Sequence, residues 1–134
     1  MTTHITGKFP ASLKLKSEKR IDLLFKKGKS HFKFPVKIQY LITEQEEGTT
    51  SEIQIGVSVS KKRFKRAVDR NLLKRRMRES VRGHLAAFCE MLKDKSLKVD
   101  IMVIFVGNSL EGFDTIDKIM GKVLLKLQKE IGAT

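Results

Sequence analysis

Arg70, Asn71, Lys74, Arg75, Arg78 and Arg82 recur at separations of three and four residues. On a helix, Asn71, Arg75, Arg78 and Arg82 form one row, with Arg70 and Lys74 flanking the adjacent apolar stripe. A guanidinium is a planar fork that grips phosphate oxygens in pairs, so a row of them suits a polyanion. An ordinary solvated helix face would intersperse Glu with Lys at i, i+4. Here Asp69 and Glu79 alone dilute the eleven cations of residues 61–82. That repulsion is relieved when an anion binds.

Catalytic constellations are missing from the pattern. His4, His31 and His84 are scattered without metal-ligand spacing, and Glu44, Glu46 and Glu47 sit together in a polar stretch. His84 falls on an apolar stripe and reads as a half-buried, satisfied side chain. Cys89 is a lone helical thiol whose default role is packing. The residues point to binding, with no active site on the protein and no metal held by it.

The charge is segregated. The chain of 134 residues has 28 Lys and Arg against 15 Asp and Glu, a formal net charge of +13. Residues 8–29 carry eight cations and two acids, and residues 61–82 carry eleven and two. Residues 83–134 carry seven of each, and residues 30–60 are slightly acidic. Solubility does not need such partition, whereas a nucleic-acid-binding face does. A single Cys excludes an intrachain disulfide framework and suits a reducing, cytoplasmic compartment. No apolar run approaches the roughly 20 residues of a membrane span. Met1–Pro10 lacks the apolar core of a signal peptide. One domain spanning 1–134 is expected, with residues 1–12 a flexible N-terminal segment.

The elements that must position these residues follow from periodicity. Ser17 can cap a short amphipathic helix over 18–27, with Ile21, Leu24 and Phe25 on its apolar stripe and Gly28 ending it in the left-handed conformation. Residues 34–42 alternate as a strand, with Val36, Ile38, Tyr40 and Ile42 on one face. Residues 44–51 read as a loop. Ile53, Ile55, Val57 and Val59 alternate with Gln54, Gly56, Ser58 and Ser60 in a second strand, whose polar face a backbone or ligand could approach closely. These two strands are expected to pair as an antiparallel hairpin. Residues 66–92 form a long helix on the stripe Leu73, Met77, Val81, Leu85, Phe88 and Leu92. Val99–Val106 is almost continuously apolar, as in a strand buried on both faces. Asp114 can cap a last helix. With one more short strand near Phe32, the class is α+β: an α-β sandwich with a mixed sheet of about four strands and the long basic helix in a β-α-β crossover.

At this point the chain resembles the protein component of bacterial ribonuclease P. Val59-Ser60-Lys61-Lys62 is similar to that family's strand end, and Arg70-Asn71, Lys74-Arg75 and Arg78-Glu79 resemble its helical signature, an Arg-Asn-Arg triplet followed by a Lys-Arg pair and an Arg-Glu pair. Leu13-Lys14 through Gly28 is similar to its first helix, and Asp100 through Val106 to its last strand. Leu72 stands where the signature has its second Arg, Ile21 where relatives have another aromatic, and Gly107 where many place a basic residue.

The resemblance implies a ribosomal protein S5 domain 2-like fold with a left-handed crossover. It also implies a function: a non-catalytic subunit that binds a catalytic RNA and helps it remove the 5′ leader of precursor tRNA. The RNA subunit would be bound by Lys61, Lys62, Arg66, Arg70, Asn71, Lys74, Arg75, Arg78 and Arg82. The leader would lie in a cleft of Phe25, Lys37, Gln39, Gln54, Ser58 and Ser60. Mg2+ would serve the RNA subunit, and the protein would be a monomer in the holoenzyme. Tyr40, sharing a face with Val36 and Ile38, reads as core. Phe25 suits core and base stacking equally. Two other classes compete: a ribosomal-type RNA-binding protein with no enzymatic role, and a protein nuclease with its own metal site.

Overall fold

Three helices and four strands follow the order α1 (Glu18–Lys27), β1 (Lys29–Lys33), β2 (Val36–Glu44), β3 (Glu52–Val59), α2 (Ala67–Leu92), β4 (Leu97–Phe105) and α3 (Phe113–Gly132). They belong to a computed structural model that describes residues 14–45, 51–92 and 95–132. The segment 1–12 and residues 46–50 of the loop after β2 lie outside the described residues.

The sheet is mixed, in the order β1-β2-β4-β3. β2 runs antiparallel to both β1 and β4, and β3 runs parallel to β4. The expected hairpin between β2 and β3 is therefore not formed, because β4 lies between them. The cause is burial. β4 is buried on both faces, with Val99, Ile101, Val103 and Phe105 on one and Asp100 and Met102 on the other. Only a central position hides both. The hairpin that does form joins β1 and β2, with Phe34 and Pro35 at its turn.

Two layers of side chains cover the sheet. On one face, Leu73, Met77, Val81, Leu85 and Phe88 of α2 join Ile116, Met120, Val123, Leu127 and Ile131 of α3 over the β-branched residues of β2, β3 and β4. On the other, Leu24 of α1 and Leu15 pack against Met102, with Ile21, Leu41 and Ile104 at their margin. At about 25 cal/mol per Å2 of apolar surface, this burial is the main drive to fold.

Local signals fix α1. Ser17 Oγ accepts from Arg20 N at 3.3 Å, the capping bond that its sequence position predicts. The helix ends differently from expectation: Gly28 has φ −74° and ψ 167°, an extended conformation. Glycine is needed there for closeness instead. A Cβ would press on the carbonyl of Leu24 and come within 2.7 Å of the carbonyl of Tyr40. α3 also starts two residues early, with Ile116 N bonded to Gly112 O at 3.2 Å, so Asp114 lies in the first turn and is not its cap.

Candidate nucleic-acid interface

The basic helix is held by one flank and open on the other. Arg76 Nη1 donates to Glu111 O at 2.6 Å, Ser80 Oγ donates to Asp117 at 2.6 Å, and His84 Nε2 lies 3.4 Å from the same carboxylate. These three residues mark the side of α2 that faces α3. His84 is thus the satisfied, half-buried histidine expected of its position. Asn71, Arg75, Arg78 and Arg82 lie on the opposite flank, about 100–160° around the helix from Arg76 at 100° per residue. Asn71 and Arg75 are exposed, and Lys74, Arg78 and Arg82 are half-buried. Among the described residues, Arg66, Lys74, Arg75 and Arg78 form no ion pair with a carboxylate.

The turn that leads into α2 is anchored, although it is rich in cations. Phe64 is buried and its ring packs on Phe105 with centroids 5.8 Å apart. Arg70 Nη1 donates to the carbonyls of Phe64 and Lys65 at 2.8 and 2.9 Å. Arg63 Nη1 donates to the carbonyl of Val106 and, at 3.3 Å, to Asn108 Oδ1. Ser60 Oγ accepts from Lys62 N at 3.2 Å. Arg70 therefore spends part of its donor set on the fold, while Lys61, Lys62 and Arg66 stand exposed on a braced loop.

A second surface lies on the sheet face that α1 half covers. Cross-strand register sets its rows. Phe32, Lys37, Ile104 and Ser58 stand side by side across all four strands. Ser30, Gln39, Met102 and Gly56 form the next row, and Leu41, Asp100 and Gln54 the one after. α1 and Leu15 close the second and third rows. Met102 and Leu15 lie over Gly56, whose added Cβ would meet Met102 Cε at 2.9 Å. Gln39 Nε2 donates to Leu24 O at 3.4 Å. The close approach that the small residues of β3 allow is thus made by this chain's own Leu15, whose N donates to Ile55 O at 3.0 Å.

The first row stays open. Of the expected cleft residues, Lys37 and Ser58 share it, Gln39 borders it, and Ser60 lies just beyond the end of β3. Gln54 is four residues from Ser58, about 13 Å along the strand, on the far side of the Leu15–Met102 contact. Phe25 is 50% exposed, so it is not core. Two aromatics escaped the sequence reading: Phe32 and Phe34 are 54% and 58% exposed. Their signal was the pair Phe-x-Phe before Pro35, but Phe32 joins Lys37 only through the β1–β2 register. Tyr40 is buried, and its hydroxyl donates to Glu130 and lies 3.0 Å from His31 Nε2. Among the described residues, no three His, Cys, Asp or Glu side chains come together as a metal site would require. No helix among them is long and apolar enough to cross a membrane.

Comparison with known proteins joins these surfaces to a family. The family profile described as Ribonuclease P matches residues 9–128. The chain belongs to the ribonuclease P protein family. It is 30% identical over 127 residues to the ribonuclease P protein component of Porphyromonas gingivalis, covering 95% of this chain and 91% of that one. It is similar to the solved ribonuclease P protein of Staphylococcus aureus, with a TM-score of 0.62 at 26% identity over 86% of this chain and 94% of that one. The Thermotoga maritima ribonuclease P protein gives a TM-score of 0.57 at 25% identity, covering 87% and 96%. Membership in the ribonuclease P family makes the chain a protein component of an endoribonuclease holoenzyme and implies association with ribonuclease P RNA.

Proposed function

We propose that the protein grips the RNA subunit of ribonuclease P with α2 and its preceding loop, and steers the single-stranded 5′ leader of precursor tRNA across the open row of the sheet. The observation that carries this reading is the cationic flank of α2, turned away from α3, where Arg75 and Arg78 form no ion pair among the described residues. Guanidinium groups left without carboxylates are available to phosphates. Lys61, Lys62, Arg66, Lys74 and Arg82 extend this contact, Asn71 adds an amide, and Arg70 supports it from the braced turn.

A leader strand needs a cation along its path and a flat ring to stack on. Lys37 and Ser58 supply charge and a hydroxyl, while exposed Phe32, Phe34 and Phe25 supply rings around them. Gln39 and Ser60 border the path, and Gln54 flanks it at a distance. Leader hydrolysis belongs to the RNA subunit with its Mg2+, and the protein works in the cytoplasm as a monomer within the holoenzyme. Its own residues bind and orient, and no proton transfer is assigned to them.

Reconstitution tests the reading. Protein purified free of contaminating ribonucleases is mixed with ribonuclease P RNA at low Mg2+ and supplied with precursor tRNA. Stimulated cleavage at the mature 5′ end with RNA present, and none from protein alone, is the expected result. No stimulation would return the chain to a ribosomal-type binding role. Cleavage by protein alone would indicate a nuclease site of its own.

A further inference from the structure

The C-terminal region is electrically neutral by composition, yet its fold is not neutral on every side. Of the three carboxylates of α3, two are held on the sheet or on α2. Asp117 is held by Ser80 and His84. Glu130 accepts from Tyr40 and, at 3.2 Å, from Lys29 Nζ. Its lysines turn the other way. Lys122, Lys126 and Lys129 are exposed and, with Lys33 of the edge strand β1, surround a groove of about 280 Å3 floored by Val123 and Leu125. Among the described residues, no carboxylate pairs with any of these four lysines.

We infer that this groove is a second contact for the phosphate backbone of RNA, separate from α2. The open row of α2 lies on its flank away from α3, and the lysines lie on the flank of α3 away from α2. The two faces are thus roughly 20 Å apart, two helix diameters. One phosphate ridge cannot lie on both, so the groove receives a different segment of RNA. Its chemistry also differs. Lysine is a point charge on a flexible stem, suited to a backbone of any sequence, whereas the arginine fork fixes orientation. Lys122 and Lys126 are about 6 Å apart along the axis, and Lys33 faces them from the other wall, so a strand would have cations on two sides. A lipid surface fits less well. An interfacial helix keeps a broad apolar face for the membrane, and that of α3 is committed to the core, leaving exposed Phe113 and Leu125 twelve residues apart.

The inference extends the proposed RNA-binding reading, and its test separates the two. Full-length wild type, the Lys122→Gln/Lys126→Gln/Lys129→Gln variant and the Arg75→Ala/Arg78→Ala variant are titrated with ribonuclease P RNA and with mixed-sequence duplex RNA over a series of salt concentrations. Each lost phosphate contact lowers the slope of log K against log salt by roughly 0.7–0.9, so the triple variant should flatten it by about 2 with both RNAs. The matching Lys→Arg triple should keep the wild-type slope, and both lysine variants should melt like wild type because the three side chains are exposed. An unchanged slope with both RNAs overturns the inference. So does retention of the slope with loss of binding to phosphatidylglycerol-containing vesicles, which would make the groove a lipid contact. If wild type prefers ribonuclease P RNA no more than duplex RNA, the family-specific reading fails, and the duplex titration still decides the groove.

Discussion

The guanidinium of Arg20 reaches from α1 to the carboxylate of Asp100 in β4, donating from Nε at 3.2 Å and also from Nη2. Its Nη1 donates to Glu52 of β3 at 2.9 Å. Asp100 is 4% exposed, the one buried acid among the described residues. Burial alone would lower the pKa of Arg20, but the hydrogen bonds to Asp100 and Glu52 outweigh it and raise it above the ordinary value. This clamp holds α1 over two rows of the sheet and leaves the Phe32–Lys37 row open beside it.

Removing the cation should strand a buried charge. Arg20→Ala is expected to cost about 3–5 kcal/mol in urea denaturation, and Arg20→Met combined with Asp100→Leu should recover most of it. A loss below about 1 kcal/mol for Arg20→Ala would place the pair in the class of solvated surface bridges.

Gly28 should tolerate no side chain while α1 keeps its seat. The added methyl of Gly28→Ala meets two backbone carbonyls, which cannot swing aside as a side chain can. A destabilisation of about 1–3 kcal/mol is expected from such overpacking. Gly83, with open space where a Cβ would lie, is the control. There, replacement by Ala inside α2 should stabilise by up to about 1 kcal/mol. Equal effects at both positions would contradict the contact.

The Tyr40–Glu130 bond predicts the pH dependence of the attachment of α3. The Tyr40 hydroxyl bond holds the Glu130 carboxyl below its ordinary value of 4.5, with Lys29 and His31 adding to the effect against a burial cost. A depressed carboxyl contributes stability above its unfolded pKa, so this contribution should fade as pH falls below about 4.5. Burial and Glu130 push the Tyr40 phenol well above its ordinary 10.0, so its contribution should hold up to about pH 10 and fade above it. Melting temperature against pH, for wild type and Glu130→Gln, checks both limbs. The acid limb should be shallower in the variant.

The open row should distinguish substrates by their leaders. Phe32→Ala is expected to weaken binding of leader-bearing precursor tRNA by about 1–3 kcal/mol, the usual value of one base stacked on an aromatic ring. Lys37→Ala should weaken it in a salt-dependent way. Mature tRNA should be little affected by either change. Equal losses on precursor and mature tRNA would remove the leader from this surface.

Residues 17–28 show how far local chemistry carries. Capping by Ser17 and the spacing of Ile21 and Leu24 specify α1 to the residue, because its hydrogen bonds close within the segment. The same holds for α2 and for its row of Asn71, Arg75 and Arg78, since 3.6-residue periodicity places side chains without reference to any partner. The cationic binding face and the family signature were therefore readable from residue types and spacing. β4 announced its burial by its nearly continuous apolar run, but not its neighbours. Strand order is a non-local choice, made by which surfaces most fully cover Val99, Ile101 and Val103, and it separated β2 from β3.

The same limit explains the site residues that escaped. Phe32 enters the open row only when β1 pairs with β2 in its particular register, and a slip of one residue would turn it to the other face. Gln54 and Ser58 look equivalent in an alternating strand. Leu15, arriving from outside the sheet, closes the surface between them. Residues 83–134 are neutral by composition, whereas packing draws Asp117 and Glu130 away from Lys122, Lys126 and Lys129 and exposes a basic patch. Periodicity and charge type act along the chain, so the sequence carries them openly. Which rows stay uncovered and which charges lose their counterions depends on contacts between distant segments, and those arise only as the sheet and its three helices pack.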